Sequence, residues 1–253
     1  MSQGPATASD KKVRRPRLFA IGRRPSEDES RFIPVELRLP EHELRRLGGP
    51  GSSAPQRSAL HDELRVVKRH LIETIRKGAG RKPDPRIILI TSASLKDGKS
   101  FVALHLGMAL ALDRGLRITL IDCDIDGAGL STKLDANMLP GLMDCLDGPG
   151  IGVSRALLTT SLPNLQVMPA GSARSATGEL LADPRMPQLL GELLGRGGDQ
   201  LVILDSPAVL KSSDAVTLAQ YAGQILFVVA ANESRRSEID DALALLHRLS
   251  AGD

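Results

Sequence analysis

The chain has 253 residues, 42% of them hydrophobic and 25% charged, with a formal net charge of +3. That length supports one large or two small domains with a core that needs no covalent staples. No apolar run approaches the roughly 18 residues of a membrane span, two cysteines without a spacing motif suggest neither zinc nor a disulfide framework, and one Tyr, four Phe and no Trp argue against base-stacking nucleic-acid modules.

The charge is uneven along the chain. Residues 1–57 hold 12 Lys and Arg against 7 Asp and Glu, while the remainder carries a small net negative charge. This stretch also holds 7 of the 16 prolines and ends in the Gly/Ser/Pro-rich run Gly48–Pro55. It reads as a disordered basic leader and linker, with short local structure at most over Phe32–Leu47. Lys11–Arg17 is followed by no apolar stretch, so a secretory signal is not expected. A basic tract of this kind can meet anionic lipid headgroups, but the ordinary reading is a solvated linker.

From residue 58 to 253 the pattern is that of a folded domain. Leu60, Leu64, Val67 and Leu71 recur at helical spacing up to about Lys77. Arg86–Thr91 is a short apolar, β-branched run, and Phe101–Leu112 follows as a helix pattern. Leu116–Ile121, Leu165–Met168, Leu201–Leu204 and Ile225–Ala230 are further buried-strand candidates. Helical segments at about Gly141–Leu146, Met186–Leu194, Asp214–Ala222 and Ser234–Leu249 lie between them. Continuous apolar strands alternating with helices predict a mostly parallel sheet covered on both faces, with ligands beyond the C-terminal strand ends.

The residues after three of these strands carry chemistry. The first strand leads into Ser92-Ala93-Ser94-Leu95-Lys96-Asp97-Gly98-Lys99-Ser100 and then Phe101, close to the phosphate-binding loop pattern G-x-x-x-x-G-K-[ST]. Backbone N–H groups of Ser94 to Phe101 at a helix N-terminus would wrap a β-phosphate. Lys99 would neutralise β/γ oxygens and Ser100 would ligate Mg²⁺. Strand Leu116–Ile121 is followed by Asp122-Cys123-Asp124, whose carboxylates can hold Mg²⁺ and position an attacking hydroxyl. Leu201-Val202-Ile203-Leu204-Asp205 is an apolar strand ending in Asp, the form that bonds the Mg²⁺ shell in phosphate-loop enzymes. Each acid alone is as well explained by a turn or a cap; three loops at one sheet edge are not. Asp214 reads as a helix cap, His105 and Cys123 as packed side chains, and Arg235 and Arg236 as a solvated turn.

With these residues the stretch from about Ser58 to Leu249 resembles the bacterial tyrosine kinases of exopolysaccharide and capsule synthesis, and most closely the tyrosine autokinases of exosortase-associated loci. Those are phosphate-loop NTPases akin to the Min and Par ATPases. The family loop runs roughly T-S-A-x-P-G-E-G-K-S, here Thr91 to Ser100. Its second motif, D-x-D-x-R, is Asp122-Cys123-Asp124-Ile125-Asp126, with Asp for Arg, and its third, D-[ST]-P-P, is Asp205-Ser206-Pro207-Ala208. Pro140-Gly141-Leu142, Pro163-Asn164-Leu165, Pro169-Ala170-Gly171, Ala176–Leu181 and Tyr221-Ala222-Gly223 fit between and after them. The resemblance implies Mg·ATP binding, with Lys99, Asp122, Asp124 and Asp205 as catalytic residues and Ser100, Asp122 and Asp205 around the metal. It implies work with an inner-membrane chain-length protein from the cytoplasmic side, and oligomers built through a helix that here presents Asp62, Arg65 and Lys68. Lys96 stands where the family has Gly, and the only tyrosine is Tyr221. The sequence carries no tyrosine-rich tail and no final strand ending in Asn, so autophosphorylation of a tail is not expected. Three functions remain open at this point: a tyrosine kinase or slow ATPase, a catalytically weak assembly subunit of the same machinery, and a Min/Par-like positioning ATPase. The last is disfavoured because Ser94 replaces that group's early loop lysine.

Overall fold

The computed structural model describes residues 36–47, 59–113, 115–125, 129–147, 151–172, 177–197 and 199–250. All of them fall in one compact unit, Pro34–Asp253. The disorder expected for residues 1–35 and 48–57, and Asp126, lie outside the described residues.

Seven strands form one sheet in the spatial order β1-β4-β5-β3-β6-β2-β7. The five expected strands are present as β2 (Ile87–Ser92), β3 (Arg117–Asp122), β5 (Leu165–Met168), β6 (Gln200–Asp205) and β7 (Gln224–Val228). All of their mutual pairings are parallel. Two strands were not legible: β1 (Glu36–Leu37), and β4 (Leu158–Thr160), which runs antiparallel to β5. Neither has the length or apolar continuity that marks a buried strand.

Alternate side chains of the central strands divide between two cores. Ile87, Leu89, Val202 and Leu204 join α5 (Leu142–Leu146), α6 (Val153–Ala156), α7 (Thr177–Ala182), α8 (Arg185–Gly195), α9 (Ser213–Ala219) and α10 (Arg236–Ser250) on one face. Ile88, Ile90, Leu201 and Ile203 meet α1 (Glu41–Arg46), α2 (Ala59–Lys77), α3 (Lys99–Ala111) and α4 (Leu130–Lys133) on the other. Helices therefore cover both faces, as a sheet with continuous apolar strands requires.

The folded unit begins earlier than the expected boundary at 58. β1 pairs in parallel with β4, matching Glu36 with Thr159 and Leu37 with Thr160. Leu37, Leu39 and Leu47 are buried in the α3-side core. From α1, Glu43 Oε2 lies 3.1 Å from Nε2 of His105, which is 0% exposed, and the Arg46 guanidinium sits 5.7 Å from the Phe101 ring centroid. His105 Nδ1 lies 2.8 Å from the carbonyl oxygen of Phe101, so both ring nitrogens are partnered and its packing role stands. Basic composition concealed this strap because only three leucines in twelve residues carry its burial.

α2 forms as its spacing predicts, but one of its charges is used internally. Lys68 is buried, and its Nζ donates to Ala109 O at 2.7 Å and to Asp113 Oδ1 at 2.8 Å. It satisfies a carbonyl orphaned at the C-terminal end of α3. Lys68 is thus not presented to a second copy. Asp62 and Arg65 remain half-exposed, 3.4 Å apart on one helix.

If the strap belongs to the domain, Leu39→Ala should lower the unfolding free energy by about 2–3 kcal/mol in urea titrations of the full chain. A change within about 0.5 kcal/mol, typical of a surface site, would return residues 36–47 to the leader.

Candidate functional site

The sheet order places three strand ends side by side. β6 lies between β3 and β2, with Asp122 the register partner of Asp205 and Ile90 the other neighbour of Asp205. The loop that leaves β2 therefore begins beside both carboxylates.

That loop enters α3 through Gly98, whose φ of 96° is the left-handed conformation that glycine adopts without steric cost. No side chain caps α3. Its first-turn N–H groups are left for an anion, and the helix dipole favours one. Lys99 and Ser100 start the helix and are 5% and 9% exposed. Lys96 also has a positive φ, 68°, a region that a side chain disfavours. Glycine would adopt this conformation without steric cost, and this chain meets it with lysine.

A cavity of about 660 Å³ opens over the loop, lined by Leu95, Lys96, Gly98, Lys99, Ser100 and Phe101, with Asp124 and Ile125 at its side. Ser94 and Asp97 shape the loop without lining this cavity. Asp97 Oδ2 accepts from Ser94 N–H at 2.9 Å, and its Oδ1 accepts from the Ser234 hydroxyl at 2.9 Å. The Ser94 hydroxyl donates to Glu238 Oε2 at 3.0 Å. The loop is thereby braced against the β7–α10 connection and the first turn of α10.

Asp122 and Asp205 sit at the floor of this strand edge, 1% and 0% exposed. Asp122 accepts from the N–H and hydroxyl of Ser131, both at 2.6 Å, and from Asp124 N–H at 3.1 Å. Ser131 in turn accepts from Ala170 N–H at 2.9 Å. A Cβ on Gly129 would stand 2.8 Å from Asp122 Oδ1, so only glycine lets this turn close over the carboxylate. Burial raises the Asp122 pKa, and the Ser131 bonds offset part of the rise.

Asp205 has no such support. Neither of its carboxylate oxygens makes a hydrogen bond. Burial, then the charge of Asp122, push its pKa well up; the Ser100 hydroxyl, near but outside hydrogen-bonding geometry, and Lys99 pull the other way. A buried carboxylate without a partner costs folding energy, which a bound cation would offset. No group of three or more His, Cys, Asp or Glu among the described residues could hold a metal by itself. The donor set of Asp205, Asp122 and Ser100 instead fits Mg²⁺, which keeps water and substrate phosphate oxygens in its shell.

The structure corrects two smaller expectations. The cap of α9 is Ser212, whose hydroxyl accepts from Asp214 N–H at 3.1 Å. Asp214 sits in the helix's first turn and lines the phosphate-loop cavity. Tyr221 lies past the end of α9 at Ala219, and its hydroxyl donates to Leu181 O at 3.0 Å. Cys123 is buried as expected, with its thiol pKa pushed up by burial. Arg236 is solvated, 3.8 Å from Asp240. Sequence reading missed Ser131, Lys133 and Lys211. Ser131 leaves no sequence signal, because its partner is nine residues away. The two lysines looked like ordinary surface charge.

No family model matches the chain. It is 28% identical over 158 residues to the tyrosine-protein kinase Wzc of Salmonella typhimurium, which covers 62% of this chain and 21% of that protein. It is 34% identical over 149 residues to the succinoglycan biosynthesis transport protein ExoP of Rhizobium meliloti, covering 58% and 18%. Among solved structures, the BceF tyrosine kinase domain superposes with a TM-score of 0.66 at 25% identity, over 85% of this chain and 87% of that one. Over these stretches the chain is similar in sequence to proteins described as bacterial tyrosine-protein kinases. It spans about a fifth of the length of these two proteins, Wzc and ExoP. The chain shares the α/β fold of the BceF domain, and no helix among its described residues is long and apolar enough to cross a membrane.

The unsupported carboxylate makes a prediction for the metal-free state. A raised folded pKa means that ionised Asp205 lowers stability once pH passes its ordinary value of 3.8. The penalty grows with pH and levels off above the folded pKa. Asp205→Asn should therefore raise the Tm measured in chelator at neutral pH, by about 2–8 °C if about 1–2 kcal/mol is relieved. The gap between variant and parent should close as pH falls toward 4. A parent as stable as the variant at every pH would show that Asp205 carries no such penalty.

Proposed function

We propose that this chain binds Mg·ATP and transfers the γ-phosphoryl group to a tyrosine of another protein in exopolysaccharide or capsule synthesis. The observation that carries this reading is the unpartnered Asp205 carboxylate, buried beside Asp122 below a phosphate loop. Kinship with Wzc and ExoP supports the tyrosine acceptor and the polysaccharide setting.

In this reading the first-turn N–H groups of α3 hold the β-phosphate and Lys99 sits against β/γ oxygens. Ser100, Asp205 and Asp122 hold Mg²⁺, which supplies charge neutralisation at the β- and γ-oxygens. Asp122 is committed to Ser131 and stays fixed. Asp124 lines both the 660 Å³ cavity and a second cavity of about 390 Å³ bounded by Asn137, Met138 and Gly171. It is the carboxylate placed to orient an incoming hydroxyl and accept its proton. The phenol oxygen then bonds to the γ-phosphorus, the bond to the β–γ bridging oxygen breaks, and ADP departs. Tyr221 donates its hydroxyl to Leu181 O and lines neither cavity, so it is not the acceptor in this reading. An inner-membrane chain-length protein is the partner that fits this role, with the chain on the cytoplasmic side.

Calorimetry of the full chain with Mg·ATP is the direct check. Lys99→Ala should weaken binding by roughly 10- to 100-fold. Asp205→Ala should abolish Mg²⁺-dependent transfer to a Glu/Tyr copolymer. Transfer that survives Asp205→Ala at parental rate would remove the assignment. Tight, Lys99-dependent ATP binding with no transfer to tyrosine would favour the weakly catalytic assembly subunit, for which Lys96 in a left-handed loop position is the motivating departure.

A further inference from the structure

Two lysines that belong to none of the motifs converge on the phosphate-loop cavity. Lys133 closes α4, after β3, and Lys211 lies in the turn after β6. Both line the same cavity as Gly98, Lys99 and Ser100. Neither has an ion-pair partner among the described residues, and both are exposed.

Their backbones are fixed relative to the loop. Val209 N–H donates to Ser92 O at 2.9 Å and Leu210 N–H to Ala93 O at 3.3 Å, so the segment carrying Lys211 is bonded to the start of the phosphate loop itself. Lys133 follows Leu130 and Ser131, which are buried, and Ser131 is bonded to Asp122. Each lysine therefore enters from a wall whose position is set by one of the two metal-side strands.

The direction of the phosphate chain follows from the site. With a β-phosphate at the N-terminus of α3 and its cation held by Asp205 and Asp122, the γ-phosphoryl group would lie toward those two residues. Those residues end β6 and β3, the strands that precede Lys211 and Lys133. The cavity wall carries four lysines, 96, 99, 133 and 211, against two carboxylates, Asp124 and Asp214. That excess of positive charge suits a ligand with one phosphate more than the loop and Lys99 alone can neutralise.

We propose that Lys133 and Lys211 form a clamp on the third phosphate of a bound nucleoside triphosphate, so that the site holds Mg·ATP in preference to Mg·ADP. The clamp rests on the ATP-binding reading above. Lys133 and Lys211 contact the γ-oxygens from the segments after β3 and β6, and when the γ-phosphoryl group leaves they lose their partner, which weakens the hold on ADP.

The test is calorimetry of the full chain with Mg²⁺ and either the non-hydrolysable imido analogue of ATP or ADP. Lys133→Met and Lys211→Met should each weaken the triphosphate by roughly 3- to 10-fold and leave ADP within about twofold. Lys211→Arg, which keeps the charge, should retain the preference. Equal losses for both nucleotides would show that the lysines act on the general field, and no loss for either would show that they are solvated surface; each result overturns the clamp while leaving the ATP reading intact. A parent chain that binds neither nucleotide, with an unchanged circular dichroism spectrum, would overturn the ATP reading and the clamp with it.

Discussion

The structure is organised around two carboxylates placed side by side out of water. Asp122 and Asp205 are register partners on adjacent parallel strands, nearly inaccessible, and mutually repulsive. A fold under no functional constraint would put apolar side chains there, since like charges in a low dielectric oppose burial. Their surroundings divide the labour. Asp122 is made tolerable by Ser131 and by the close approach of Gly129. Asp205 is left with nothing but the edge of the phosphate loop. This asymmetry leaves one carboxylate fixed by hydrogen bonds and the other with none.

The phosphate loop is stiffened from a direction that its motif does not specify. Asp97 joins Ser94 to Ser234, and Ser94 reaches Glu238 on α10. The loop conformation is therefore shared with an element near the far end of the chain. From the other face, Glu43 and Arg46 of the strap meet His105 and Phe101 on α3, and Phe101 also lines the cavity. The helix whose N-terminus would meet the anion is thus held on two sides, and that rigidity is what lets unsatisfied N–H groups act without reorganising.

What the sequence disclosed follows from which forces leave local traces. β2, β3 and β6 are buried on both faces, so burial alone made them continuous apolar runs, and each ends in the residues that carry chemistry. Gly98, Lys99, Ser100 and the two register-paired aspartates were legible for this reason. β1 and β4 were not, because a strand of two or three residues at the edge of the sheet has no periodicity to detect. The strap was concealed in a segment whose average composition is basic and proline-rich, although Leu37, Leu39 and Leu47 are buried. Lys68 looked like an outward charge until the geometry showed that it caps α3. Ser131 and Lys211 owe their roles to partners distant in sequence, and pattern reading has no access to such pairings. The resemblance supplied the roles of the motif residues, but positions 133 and 211 lie outside its motifs.

The strand order has a consequence for how the molecule comes into being. β2 and β3 are not neighbours; β6, some 80 residues further on, is the strand between them. Until residues 200–205 arrive, nothing links β2 to β3 within the sheet, and the loop after β2 stands apart from Asp122. Parallel contacts of this range close large loops and form late relative to local helices. A nascent chain that has emerged only as far as α8 carries the whole G-K-S loop with no nearby carboxylate pair, both edges of β2 and one edge of β3 being unpaired. Insertion of β6 between β3 and β2 thus joins the two halves of the sheet and brings the loop after β2 beside Asp122 and Asp205 in the same event.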